Sequence, residues 1–134
     1  MKIFNKKENF ADKVNFADKN GVLLGYDLSQ DCCEEADWFI NDKPLEKVEY
    51  DKNYNKLTPM ENYYGDELED YVFDTKYFKS ISDSDWLDAG EMVIFRITNG
   101  VDEKFIHIFN AHNGYYGHGF EFKEGNEILK EGSL

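Results

Sequence analysis

Two short segments, Met92 to Ile97 and Phe105 to Phe109, carry large apolar side chains at both odd and even positions. Successive side chains of a strand point to opposite faces, so apolar residues on both parities mark a strand that is buried on both sides. The runs are too short for helices and are bounded by turn signals, which settles them as strands rather than helical turns. A chain that contains them must therefore supply a layer of structure on each side of a central sheet.

Three Asn-Gly pairs, at Asn20-Gly21, Asn99-Gly100 and Asn113-Gly114, punctuate the chain between apolar or aromatic runs. Both residues tolerate the positive φ of a type I′ turn, which makes the pair the strongest short hairpin signal. The first predicts an N-terminal hairpin, with Val14 and Phe16 before the turn and Val22 to Tyr26 after it. From Glu91 onward the pattern predicts a meander: Met92 to Thr98, Lys104 to Asn110, Tyr115 to Phe122 and Glu127 to Lys130, the last pair joined at Glu124-Gly125-Asn126. Tyr71 to Phe78 reads as a further strand. Lys43 to Asp70, with no sustained period, reads largely as loop. Single helical turns are expected at Pro59 to Tyr64 and Ser82 to Leu87, where a proline and a serine stand at the starts. The echo Asn9-Phe10-Ala11-Asp12-Lys13 and Asn15-Phe16-Ala17-Asp18-Lys19 is too short to indicate a solenoid. The expectation is a single domain over 1–134 of β-dominated α+β class, a mostly antiparallel sheet with a C-terminal meander of hairpins and one or two short helices.

Length and composition agree with one folded unit. At 134 residues, 41% hydrophobic and 16% aromatic, the chain can build one core despite a charged fraction of 32%. Its net charge of −13 is uneven. Asp27 to Asp51 holds nine acids against two lysines, Glu61 to Glu91 ten against two, and the remainder stands near +2. Such a balance repels phosphate backbones, which excludes direct nucleic-acid binding. No window approaches a membrane span, and the N-terminal residues lack the h-region of a secretory signal, so a cytoplasmic protein is expected. The two cysteines, Cys32 and Cys33, are adjacent and close no loop, so there is no disulfide framework.

Few residue groups point to chemistry. Cys32 and Cys33 are flanked by carboxylates, which raise a thiol pKa, and they lack redox Cys-x-x-Cys spacing; the bland reading is two small buried hydrophobes. All three histidines fall between Phe105 and Phe122. A two-residue turn at Asn113-Gly114 would pair Phe109 with His118 and His107 with Phe120. His107 and His118 would then be diagonal neighbours on one face, open to a zinc ion with a third ligand from Cys32, Cys33 or a carboxylate. The alternative is that they hydrogen-bond within an aromatic face. The same register would leave Gly117 and Gly119 as a bare strip on the other side, against which a helix, loop or ligand would lie. Asp83 to Asp88 lacks the glycine and terminal glutamate of a calcium loop. Phosphate loops, nucleophile elbows and His-Glu-x-x-His pairs are absent.

Asp31-Cys32-Cys33-Glu34, taken with Asn113-Gly114-Tyr115-Tyr116, resembles a small uncharacterised domain family of bacteria and their phages, whose members pair an Asp-Cys-Cys-Glu segment after an early strand with a late Asn-Gly-Tyr-Tyr turn. The resemblance implies a shared fold with the two motifs close together, and it brings no assigned activity. The expected function is a non-enzymatic acidic protein of phage or mobile-element origin that binds a basic surface on a host protein. Asp66, Glu67, Glu69 and Asp70, with Asp31, Glu34, Tyr115 and Tyr116, are the candidate binding residues, and no cofactor is expected. The alternative is a small ligand-binding domain or hydrolase built on His107, His118 and Cys32 or Cys33 with zinc.

Overall fold

The computed structural model describes residues 1–8, 11–29, 36–45, 68–82, 91–110 and 117–134. They form ten strands: β1 (Lys2–Glu8), β2 (Ala11–Ala17), β3 (Val22–Asp27), β4 (Ala36–Asn41), β5 (Val72–Phe73), β6 (Lys79–Ser82), β7 (Glu91–Thr98), β8 (Glu103–Asn110), β9 (Gly119–Glu124) and β10 (Glu127–Ser133). Every pairing is antiparallel. The first sheet runs β1-β2-β3-β9-β10, and the second runs β4-β8-β7, with β5 and β6 both on the outer edge of β7.

The two sheets pack face to face through one core. Val14, Phe16, Leu24, Tyr26, Phe120 and Phe122 from the first meet Trp38, Ile40, Val93, Phe95, Ile106 and Ile108 from the second. Edge-on aromatic contacts join the layers, Phe16 with Trp38 at 5.1 Å and Phe73 with Phe122 at 5.0 Å between ring centres, a geometry the ring quadrupole favours. Tyr26 adds a polar tie, its hydroxyl donating to the Phe109 carbonyl across the core at 2.8 Å. Burial pushes that phenol's pKa far up.

The doubly apolar segments are where the second sheet is covered on both sides. Met92, Ile94, Phe105, Phe109 and Phe39 form a second buried cluster on the face turned away from the first sheet, with Leu45, Tyr77 and Ile81 packed on it. Burial of β7 and β8 on both faces agrees with the sequence-based expectation.

Connections depart from the expected meander. β7 pairs with β8 and β9 with β10, but β8 and β9 belong to different sheets. β8 has β4 and β7 as neighbours, and β9 has β3 and β10. The pairs Phe109 with His118, His107 with Phe120 and Phe105 with Phe122 therefore do not form. A local turn signal fixes where a chain reverses, not whether the next strand returns to the same sheet. Asn113-Gly114 itself lies outside the described residues. A tight two-residue connection forms at Gly125-Asn126, where Glu124 pairs with Glu127 and Gly125 takes φ +58°. The Asn99-Gly100 pair opens a four-residue loop between Thr98 and Glu103, with Gly100 at φ +91° and Asn99 Oδ1 accepting from the Val101 and Asp102 amides.

The first hairpin forms as expected, closed by Asp18, whose Oδ1 accepts from the Asn20 and Val22 amides at 2.9 Å. The sequence-based expectation contains no strand at β1, β4 or β6. The expected strand over Tyr71 to Phe78 is cut to Val72–Phe73 by a turn in which Asp74 accepts from the Lys76 and Tyr77 amides. Among the described residues the one helical feature is the turn over 68–70. The helical turn expected at Pro59 to Tyr64 lies outside them, and of Ser82 to Leu87 only Ser82 is described, as the end of β6.

Candidate functional site

The described part of the acidic binding set is Glu69 and Asp70. Both are exposed on a turn whose two ends are anchored, because Leu68 is fully buried and Tyr71 is 5% exposed in the core. The Tyr71 amide donates to the Leu68 carbonyl at 3.1 Å, and the amine of Met1 donates to the Leu68 and Glu69 carbonyls. Asp18, Glu69 and Asp70 all act electrostatically on that amine. The turn is thus a short acidic display held from below by apolar side chains. Asp66, Glu67, Asp31, Glu34, Tyr115, Tyr116, Cys32 and Cys33 lie outside the described residues.

The structure separates the two histidines of the zinc alternative. His107 sits on the face of the second sheet turned away from the first, fully buried, its ring stacked on Phe39 at 4.4 Å and 11°. Nδ1 donates to the Phe105 carbonyl and Nε2 accepts from the Leu45 amide, each at 3.1 Å. Both ring nitrogens are therefore engaged. Burial holds the imidazole neutral and pulls its pKa down to about 4, the nearby Lys79 acting in the same direction against the opposing pull of its backbone hydrogen bonds.

His118 precedes β9 on the first sheet, beside Tyr26 at 6.3 Å between rings, with Nδ1 donating to the Asp27 carbonyl at 2.9 Å. Its backbone pairs in both directions with Leu134 at 2.8 Å. The second sheet lies between the two imidazoles, so the shared face that a two-histidine metal site requires is not built. The reading of both as hydrogen-bonded members of aromatic surroundings describes them. Among the described residues no group of three or more His, Cys, Asp and Glu side chains is arranged to hold a metal ion. Nor is any helix among them long and apolar enough to cross a membrane.

Gly117 and Gly119 do not form a bare strip opposite Ile108. A side chain at Gly117 would meet Ser133 Oγ at 2.3 Å, and Gly119 pairs with Ser133. Both glycines are exposed, and a Cβ at Gly119 would meet nothing nearer than the Gly132 carbonyl at 3.9 Å.

The described residues line open clefts at two places. One, of about 540 Å³, lies at the β7–β8 loop between Asp42, Arg96, Val101, Glu103 and Lys104. Its cations are paired, Arg96 with Glu103 at 2.6 Å and Asp74 at 3.1 Å, and Lys104 with Asp42 at 2.8 Å. The other, of about 380 Å³, lies between Asp12, Lys13, Asp27 and the first residues of β9. Both are open clefts lined largely by charged side chains, unlike the enclosed apolar pockets that take small molecules.

Sequence reasoning missed Asp18 and Leu45. Asp18 Oδ2 accepts from the Phe73 amide at 2.9 Å, so one carboxylate closes the first hairpin and ties it to β5 of the other sheet. Leu45 is bound to His107 across 62 positions, and no local spacing signals such a contact. Comparison with protein-family models, curated proteins and solved structures returned no match to this chain.

Proposed function

We propose that this chain is a non-enzymatic interaction protein that uses its acidic segments to occupy a basic surface on a partner protein. The observation that carries this reading is the anchored acidic turn: Glu69 and Asp70 face solvent while Leu68 and Tyr71 hold the backbone in the core. A charged pair held in place by its backbone loses less freedom on binding than one on a slack loop. Charge distribution supports the same reading, since the two acidic blocks carry more than the whole net charge and the rest of the chain stands near +2. An acidic field of this kind steers a basic partner, including a protein surface that otherwise holds nucleic acid. The resemblance of the Asp31 to Glu34 and Asn113 to Tyr116 motifs to a bacterial and phage family supplies the setting, a phage or mobile-element protein acting on a host factor.

The test is a pull-down from host lysate at low and high salt, followed by affinity measurement on the captured partner. Binding should weaken steeply as salt screens the charges. Asp66→Asn, Glu67→Gln, Glu69→Gln and Asp70→Asn combined should lower affinity at least about tenfold, the 1.4 kcal/mol that a few rim ion pairs supply, with the thermal midpoint unchanged. Unaltered affinity in the fourfold variant overturns the proposal.

A further inference from the structure

The peptide group of Leu45 is gripped at both ends by side chains of the second sheet. Its amide donates to His107 Nε2 at 3.1 Å, and its carbonyl accepts from the Lys79 ammonium at 3.1 Å. The Leu45 side chain packs beside Tyr77 and Ile81 on the buried cluster of Phe39, Met92, Ile94, Phe105 and Phe109. These contacts hold the end of the run over 42–45, within the first acidic block, against a face that does not take part in the core between the sheets.

His107 makes this grip conditional. Its Nδ1 carries the proton given to the Phe105 carbonyl, so the Leu45 amide depends on the lone pair of Nε2. A proton on Nε2 would set two donors head to head, with the ring already buried and stacked on Phe39. We propose that Leu45 is a proton-released latch: it stays closed while His107 is neutral, and protonation of Nε2 detaches Leu45 while the interface between the two sheets stays shut.

Burial and the charged groups around the ring favour release over rescue, against the backbone hydrogen bonds of Phe105 and Phe39. By register the same face carries Asp37 on β4, Arg96 on β7, Glu103 on β8 and Lys79 on β6, with the Tyr77 ring 5.5 Å from that of Phe105. Arg96 and Glu103 satisfy each other two residues and more along the strands from His107. Asp37 stands at the Phe109 position, one pair further on. Lys79, opposite Ile94 and hence beside His107, is the charge that bears on the ring, and it opposes a second positive charge.

The linkage has a definite sign. An imidazole that titrates near 6.5 when released and near 4 when latched favours the open form increasingly as pH falls from 6.5 towards 4, and its contribution to closure is fully present above 6.5. Opening should rise roughly 15-fold between about pH 7.2 and 5.2. Amide hydrogen exchange on the full chain, corrected for intrinsic rates, reads this directly, with Ile108 and Leu24 as references for the core between the sheets. The expected result is that Leu45 loses protection over this range, Ile108 and Leu24 do not, and His107→Gln, which keeps a neutral acceptor, flattens the response. The wild-type chain carries the test if the variant fails to fold, through the His107 Cε1 proton resonance. Protection of Leu45 that is independent of pH, loss in step with Ile108 and Leu24, a His107 ring that titrates near 6.5 with Leu45 still protected, or an unchanged response in His107→Gln overturns the latch.

Discussion

The two sheets solve the same problem differently. Each buries an inner face in the common core, but the first sheet leaves its outer face to solvent, with Phe4 at 39% and Ile128 at 50% exposure, while the outer cluster of the second is sealed, Phe39 and Met92 at 0%. The sequence shows the contrast as period. β3 and β9 of the first sheet interleave Leu24, Tyr26, Phe120 and Phe122 with Gly25, Glu121 and Lys123, whereas β7 and β8 run apolar on both parities. The lesson is that the second sheet cannot stand as the outer layer of a simple sandwich. Its described strands are buried on both faces, and the first sheet covers one of them.

Truncating one phenylalanine in each environment breaks or sharpens that comparison most strongly. Phe95→Ala, in the core between the sheets, and Phe109→Ala, on the far face of the second sheet, should each cost about 3–5 kcal/mol. Phe4→Ala, on the outer face of the first sheet under Lys2, should cost less than about 1 kcal/mol. Urea denaturation at neutral pH measures all three. Against a total of about 5–15 kcal/mol either core change is severe. If Phe109→Ala behaves like Phe4→Ala, the second sheet has one buried face and not two.

Next in size is the tie between the layers at Asp18. Its two oxygens accept from the Asn20, Val22 and Phe73 amides, each at 2.9 Å, the first two within one sheet and the third across to the other. Asp18→Ala should cost about 2 kcal/mol, as for the loss of a carboxylate cap together with a charge-assisted bond. A matching Phe73→Ala in the same background should then cost less than in the wild type, because the strand it anchors is already loosened. Strict additivity in that double-mutant cycle would mean that the two sheets are not coupled through this residue.

What the sequence made legible follows the same division. β7 and β8 were readable because burial on two faces leaves no polar position to confuse the period. β2 and β3 were readable because Asn20-Gly21 sits between them, with Val14 and Phe16 alternating before it and an apolar run from Val22 to Tyr26 after it. β1 escaped notice because an edge strand rich in lysine buries little and carries no apolar rhythm. β4, with Trp38, Phe39 and Ile40 in a row between acids, carries no adjacent turn signal and pairs with β8 some seventy positions later. That distance also hid the crossing of the chain from β8 to β9: the hairpin signal at Asn113-Gly114 is local, whereas the choice of sheet depends on which edges are free once β3 and β4 have been placed. Of the candidate site, the exposure of Glu69 and Asp70 was legible as charge, but their anchoring was not, because Leu68 stands alone among acids and nothing local ties its carbonyl to the amine of Met1.

The smallest predicted effect discriminates the two outer faces as sharply as the largest. Gly25 lies in the middle of the first sheet, and a Cβ built there would come within 2.7 Å of Lys13 Cε and 3.2 Å of Asn15 Oδ1. In a sealed face such an overlap would force packed neighbours apart at about 1–3 kcal/mol. Here the atom in the way belongs to the far end of an exposed lysine that can swing into solvent, so only the approach to Asn15 resists. Alanine also restricts the unfolded chain more than glycine does, which contributes about 0.4–1 kcal/mol in the stabilising direction where the backbone accepts it. The two contributions nearly cancel, and Gly25→Ala should shift stability by less than about 0.5 kcal/mol in urea denaturation. A loss of several kcal/mol would show that the outer face of the first sheet is as closed as that of the second, and the contrast between the layers would fall with it.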